Sequence, residues 1–149
     1  MIQLALEPGF GSNIGQGIGA IALYAVVGLV LMVFGFYAID WTTPGKLSIL
    51  VRNGAPNAVI VTASGMVSMA FIVVVAILSA VGKLDEGLLR ALIYGVVGII
   101  VQVAAVRLLE WVTKLDIGGI IESDKFAPAS VVVASAHVAL GLVVAVAIY

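Results

Sequence analysis

Four apolar runs, each longer than the roughly 20 residues that carry a helix across a bilayer, leave this chain few ways to fold. They fall near Ile14 to Trp41, Ala55 to Val81, Glu86 to Trp111 and Phe126 to Tyr149. Hydrocarbon offers no water to satisfy peptide N–H and C=O groups, so only helices and closed barrels can cross it. A barrel needs short segments of alternating polarity, and neither "AFIVVVAILSAV" nor "VVASAHVALGLVVAVAIY" sustains one. The expected fold is therefore an all-α integral membrane domain of four transmembrane helices, occupying residues 1–149 as one unit. Soluble domains are about a quarter charged, whereas only 10% of these residues are, with a mean hydropathy of +1.28. The first run is too long, and lacks the basic start, of a cleavable signal. No cysteine is present, which removes disulfides, thiolate metal sites and thiol chemistry.

The runs repeat. A shift of 70 lays Gly17 on Gly87, Tyr24 on Tyr94, Val26-Val27-Gly28 on Val96-Val97-Gly98, Val33 on Val103 and Trp41 on Trp111, while Asp40 falls on Glu110. Shared Tyr, Gly and Trp are not apolar filler. A shift of 72 places Ala55-Pro56 on Ala127-Pro128. The expected architecture is two copies of one helical hairpin, about 14–81 and 86–149. Each copy crosses twice, so both enter the membrane in the same direction, the parallel kind of internal repeat.

Lysine and arginine then set the orientation. The first and third connections share a side and hold Lys46, Arg52, Lys114 and Lys125, with Arg107 near; the other side holds Lys83 and Arg90. That excess predicts long connections in the cytoplasm and both termini outside, with Trp41 and Trp111 as anchors at the cytoplasmic interface. The connections "KLSILVRNG" and "KLDIGGIIESDK" mix apolar and charged residues, as short interfacial segments do. Thr43-Pro44-Gly45 reads as the turn out of the first helix.

The first copy of the repeat carries a family signature. "DWTTPGKLSILVRNGAPNAVIVTASGMVSMAFIVVVAIL", Asp40 to Leu78, resembles the bacterial inner-membrane proteins grouped as domain of unknown function 350: an acidic residue and Thr-Pro closing one helix, a polar segment, then Asn and small residues opening the next. Asp40, Thr43, Pro44, Asn57 and Ala58 carry the likeness, which extends over nearly the whole chain and has a weaker echo in the second half. There Asn57 is replaced by Ala129 and Gly65 by His137. The resemblance implies a four-helix bacterial inner-membrane protein, and no cofactor or catalytic residue comes with it.

Polar residues inside the runs are the remaining candidates. His137 is the one histidine, midway along the fourth run, where an ionisable group is a functional candidate by default. An interhelical hydrogen bond from its imidazole, with Gln102 at similar depth as partner, is the preferred reading, because polar side chains join helices in lipid. Arg107 and Glu110 stand three apart on one helix face and are expected to pair. Asp40, the counterpart of Glu110, is placed at the same depth and within reach of Arg107; an ion or anionic-lipid site is the alternative for this group. One histidine without cysteine cannot fill a zinc shell.

Small residues recur every four positions: Gly15 and Gly19; Gly54, Ala58 and Thr62; Gly87, Ala91 and Gly95; Gly141 and Ala145. Such stripes let helix backbones approach closely, and there are more of them than one bundle needs. Contacts with other subunits are therefore expected, as a homo-oligomer or within a larger membrane complex. "GFGSNIGQGIG" fits neither phosphate-loop pattern, since no strand precedes it and no Lys-Ser/Thr follows; its glycines are expected to loosen the start of the first helix. No basic aromatic groove suggests nucleic acid, and no set of acid, base and nucleophile suggests an enzyme. The expected role is a non-enzymatic membrane scaffold or accessory subunit. The alternative is a small channel or transporter using Gln102, His137 and Arg107 between the repeats.

Overall fold

The computed structural model describes residues 10–43, 45–80 and 82–149. Among them are six helices and no strand: α1 (Phe10–Thr42), α2 (Leu47–Arg52), α3 (Pro56–Leu78), α4 (Leu84–Thr113), α5 (Ile117–Glu122) and α6 (Ala129–Ile148). Four of these, α1, α3, α4 and α6, are long and apolar enough to cross a membrane. Each spans one of the four apolar runs. Their ends shift by a few residues from the expected ones. Gly9, Pro44 and Val81, which figure in the expected loosened start, the Thr-Pro-Gly turn and the end of the second run, lie outside the described residues.

The two polar connections are partly helical, and local chemistry explains why. α2 has no side-chain cap of its own at Lys46; instead the Asp40 carboxylate accepts from the Ser48 N–H at 3.0 Å, satisfying one of the free donors at the start of the helix. It ends in a Schellman motif: Gly54, at φ +76°, donates to the Val51 carbonyl, and Ala55 donates to that of Leu50. Gly54 thus closes α2 and takes no part in the stripe of α3. α3 then opens on Pro56 at its first position, where a missing N–H costs nothing. α5 is capped by Asp116, which accepts from the Gly119 N–H at 3.0 Å. Both halves of the chain therefore run long helix, six-residue helix, spanning helix.

α3 is the hub. It packs on α1, α4 and both short helices, and most extensively on α6. Leu31, Met69, Ile72, Ile99 and Val144 form one buried cluster, and Ala58, Val61, Ile117, Ile121 and Val133 a second under α5. Where backbones come closest, the small residues take the contact. Gly95 receives the side chain of Leu31, whose Cδ1 lies 2.5 Å from where a Cβ would stand, and Gly98 receives Ile72. Gly141 faces Ser68 across the α3–α6 crossing, with the Ser68 Cα 2.9 Å from the same position. Ala58, Thr62, Gly87, Ala91 and Ala145 are buried as well. These stripes are consumed inside the chain, which corrects the expectation of surplus packing surface on every helix.

α1 is the exception. From Gly11 to Val30 it buries no residue, and a Cβ at Gly11, Gly15, Gly17 or Gly19 would meet nothing within 4 Å. α1 and α4 run side by side in the same direction: the Tyr24 hydroxyl fills the place of a Cβ on Gly87, and Leu31 covers Gly95 about two turns further on. Because Gly87 lies in the first turn of α4, α1 extends past the start of α4 by at least two helical turns, on the order of 10 Å.

Candidate functional site

The most polar part of the interior lies where α1, α3, α4 and α6 meet. Gln102 of α4 is 2% exposed and His137 of α6 is 5% exposed. The Gln102 Nε2 donates to the backbone carbonyl of His137 at 3.1 Å. The two residues are thus neighbours, as their depths suggested, but the amide joins the main chain of α6 and leaves the imidazole out. Among the described residues, neither imidazole nitrogen makes a hydrogen bond of ordinary geometry, and neither does Gln102 Oε1. Gly65 makes room for the ring on α3, with the position of its absent Cβ 3.6 Å from Nδ1.

These groups line a cavity of about 20 Å³ together with Ile39, Thr42, Thr43, Met69, Val106 and Arg107. Arg107 closes the end nearer the short helices. It pairs with Glu110, and its Nη2 donates to Thr43 Oγ1 at 3.4 Å, tying α4 to the end of α1. Asp40 does not join this pair. Its carboxylate is taken up by Ser48 at the start of α2, so the two acidic residues that align in sequence perform different tasks. The ion pair is partly exposed, with side chains 32% and 22% accessible, and pairs of that kind contribute little. Arg107→Leu is expected to lower stability in detergent by only about 0.5–1 kcal/mol; an unchanged melting temperature would mean that neither the pair nor the Thr43 bond matters to the fold.

Asn57, which the sequence marked only through the family pattern, is fully buried at the start of α3. Its Nδ2 donates to the carbonyls of Ser123 (3.1 Å) and Lys125 (2.8 Å), and its Oδ1 accepts from the Ala127 N–H at 2.9 Å. One side chain thereby fastens the connection between α5 and α6 to α3. Nearby, Trp41 and Trp111 close their helices 90% and 77% exposed, as residues facing a lipid interface would be. A groove beside Trp41, between α1 and α4, runs from Phe34 and Ile100 to Asp40 and Lys46.

The sequence model of the family described as Domain of Unknown Function (DUF350) matches residues 13–148. A UPF0719 transmembrane protein of Mycolicibacterium paratuberculosis is 32% identical over 134 residues, 89% of either chain. One of Mycobacterium bovis is 36% identical over 81 residues, 54% of this chain and 53% of the relative, and one of Mycobacterium tuberculosis matches to the same extent. No solved structure matches. With the family model spanning all four membrane-length helices, the chain belongs to the DUF350 family of multi-pass membrane proteins.

Proposed function

We propose that the protein is a non-enzymatic scaffold of the bacterial inner membrane that self-associates through the first half of α1, with the α2 and α5 end in the cytoplasm and both termini outside. The observation that carries this reading is the unburied stretch Gly11 to Val30. A glycine in a helix interior costs roughly 0.5–1 kcal/mol relative to alanine, and among the described residues Gly11, Gly15, Gly17 and Gly19 meet nothing that would offset it. At 100° per residue, Gly11, Gly15 and Gly19 share one broad face with Ile14, Ile18 and Ile21, while Ser12, Asn13 and Gln16 take the other. Glycines every four residues allow two helices to approach closely, and isoleucines spaced four and three apart form the seam of a coiled coil. The face is uncharged and complementary to itself, which suits a second copy related by a twofold axis. The basic excess near α2 and α5 supports the orientation.

The channel reading receives less support. On the far side of His137 from Arg107, Leu31, Ile72 and Ile99 are each at most 1% exposed, so polar side chains line only part of the path through one chain. Purification in mild detergent with native mass measurement, for the wild type and a Gly15→Leu/Gly19→Leu variant, tests the scaffold. An oligomer of the chain is expected, reduced to monomer in the variant with its melting temperature retained. A monomeric wild type, an oligomer indifferent to the substitutions, or a proteoliposome flux that His137→Leu abolishes would overturn the reading.

A further inference from the structure

We infer that the cavity between α4 and α6 is a binding site for a single water molecule, bridging Gln102 Oε1 and the imidazole of His137. Two observations and one physical cost converge on it. The space, about 20 Å³, is of the size that one water requires, about 10–15 Å³. Two side chains at least nine-tenths buried direct unpartnered polar atoms to it: Gln102 through Oε1, His137 through its ring nitrogens. Buried polar groups left without partners are costly, about 1–3 kcal/mol each, and a bridging water is the usual remedy.

The chemistry of the lining selects water over an ion. The bond from Gln102 Nε2 to the His137 carbonyl fixes the amide with its oxygen free, so an acceptor faces any occupant and an anion is repelled. Arg107 lines the same cavity and repels a cation. A neutral imidazole presents one N–H donor and one bare nitrogen acceptor. The occupant must therefore be neutral, and must both donate to Gln102 Oε1 and bond the ring. Water does both. Thr42 and Thr43 extend the polar lining towards Arg107, whereas Met69 and Ile39 close it elsewhere with hydrocarbon.

The single histidine makes the test clean. The full chain, labelled with ¹⁵N-histidine and reconstituted in phospholipid bilayers, is probed by solid-state NMR transfer of magnetisation from water protons to the imidazole nitrogens. A water-to-imidazole signal is expected in the wild type. It should fall several-fold in Gln102→Leu, which removes the bridging oxygen, or in Gly65→Ala, which brings a methyl group against Nδ1; circular dichroism confirms which of these variants fold. A dry imidazole in the wild type overturns the proposal without reference to any variant. So does a wild-type signal that every folded variant retains, because the water detected would then lie elsewhere.

Discussion

Gly141→Ala is expected to destabilise the protein by about 1–3 kcal/mol, the range for forcing extra volume into a packed interior, and to loosen α3 from α6. The new Cβ would stand 2.8 Å from Ser68 Cβ and 2.9 Å from Ser68 Cα. A backbone atom cannot rotate aside, so the helices themselves must part. This crossing is the most extensive packing in the molecule, and in lipid close packing supplies attraction that hydrophobic burial does not. Parting also disturbs what is built on it, since Gln102 reaches the His137 carbonyl one turn earlier on α6. Gly17→Ala is the matched control: its Cβ meets nothing within 4 Å, and alanine favours a helix, so stability is expected to stay level or rise by a few tenths of a kcal/mol. Thermal melting in one detergent compares the two. Equal melting temperatures would show that the α3–α6 crossing can adjust freely.

That contrast also marks where the sequence stopped being informative. Helix number and placement were legible because lipid admits few backbone solutions, and four runs of membrane length leave little else. A stripe of small residues every four positions, by contrast, reads the same whether its partner is in the same chain or another; Gly15 and Gly19 look no different from Gly87, Ala91 and Gly95 until Leu31 is seen lying on Gly95. Depth was similarly legible and bonding was not. Gln102 and His137 were rightly placed together, yet the amide chose a backbone carbonyl, a partner that residue types do not reveal. The alignment of Asp40 with Glu110 placed it within reach of Arg107. Its carboxylate turns elsewhere because a charged side chain answers to its neighbours: Ser48 opens a short helix beside Asp40, while Arg107 lies one turn before Glu110. Six-residue helices leave little periodic signal, and their caps, Asp40 and Asp116, were visible only as charges.

Asn57→Asp is expected to destabilise the protein at least as much as Asn57→Ala, and Asn57→Ala by about 2–4 kcal/mol. Alanine removes all three bonds at a fully buried site, leaving the Ser123 carbonyl and the Ala127 N–H without this partner and the Lys125 carbonyl with the Ser123 hydroxyl alone; each such bond contributes about 0.5–1.5 kcal/mol. Aspartate has almost the same shape and can keep the bond from Ala127. It replaces the Nδ2 donor with an oxygen facing two carbonyl oxygens, so two attractions become repulsions, and a carboxylate is placed where a neutral amide was buried. If shape alone mattered, aspartate would be the milder change. The order of the two variants in thermal melting therefore tests whether hydrogen bonds to Ser123 and Lys125, and not the mere filling of space, hold the α5–α6 connection on α3. Aspartate melting with the wild type would refute that assignment. The site carries this weight because the three partners lie 66 to 70 residues away in sequence. A single amide is thus the polar cross-link from the start of α3 to the start of α6, the two helices whose packing Gly141 permits.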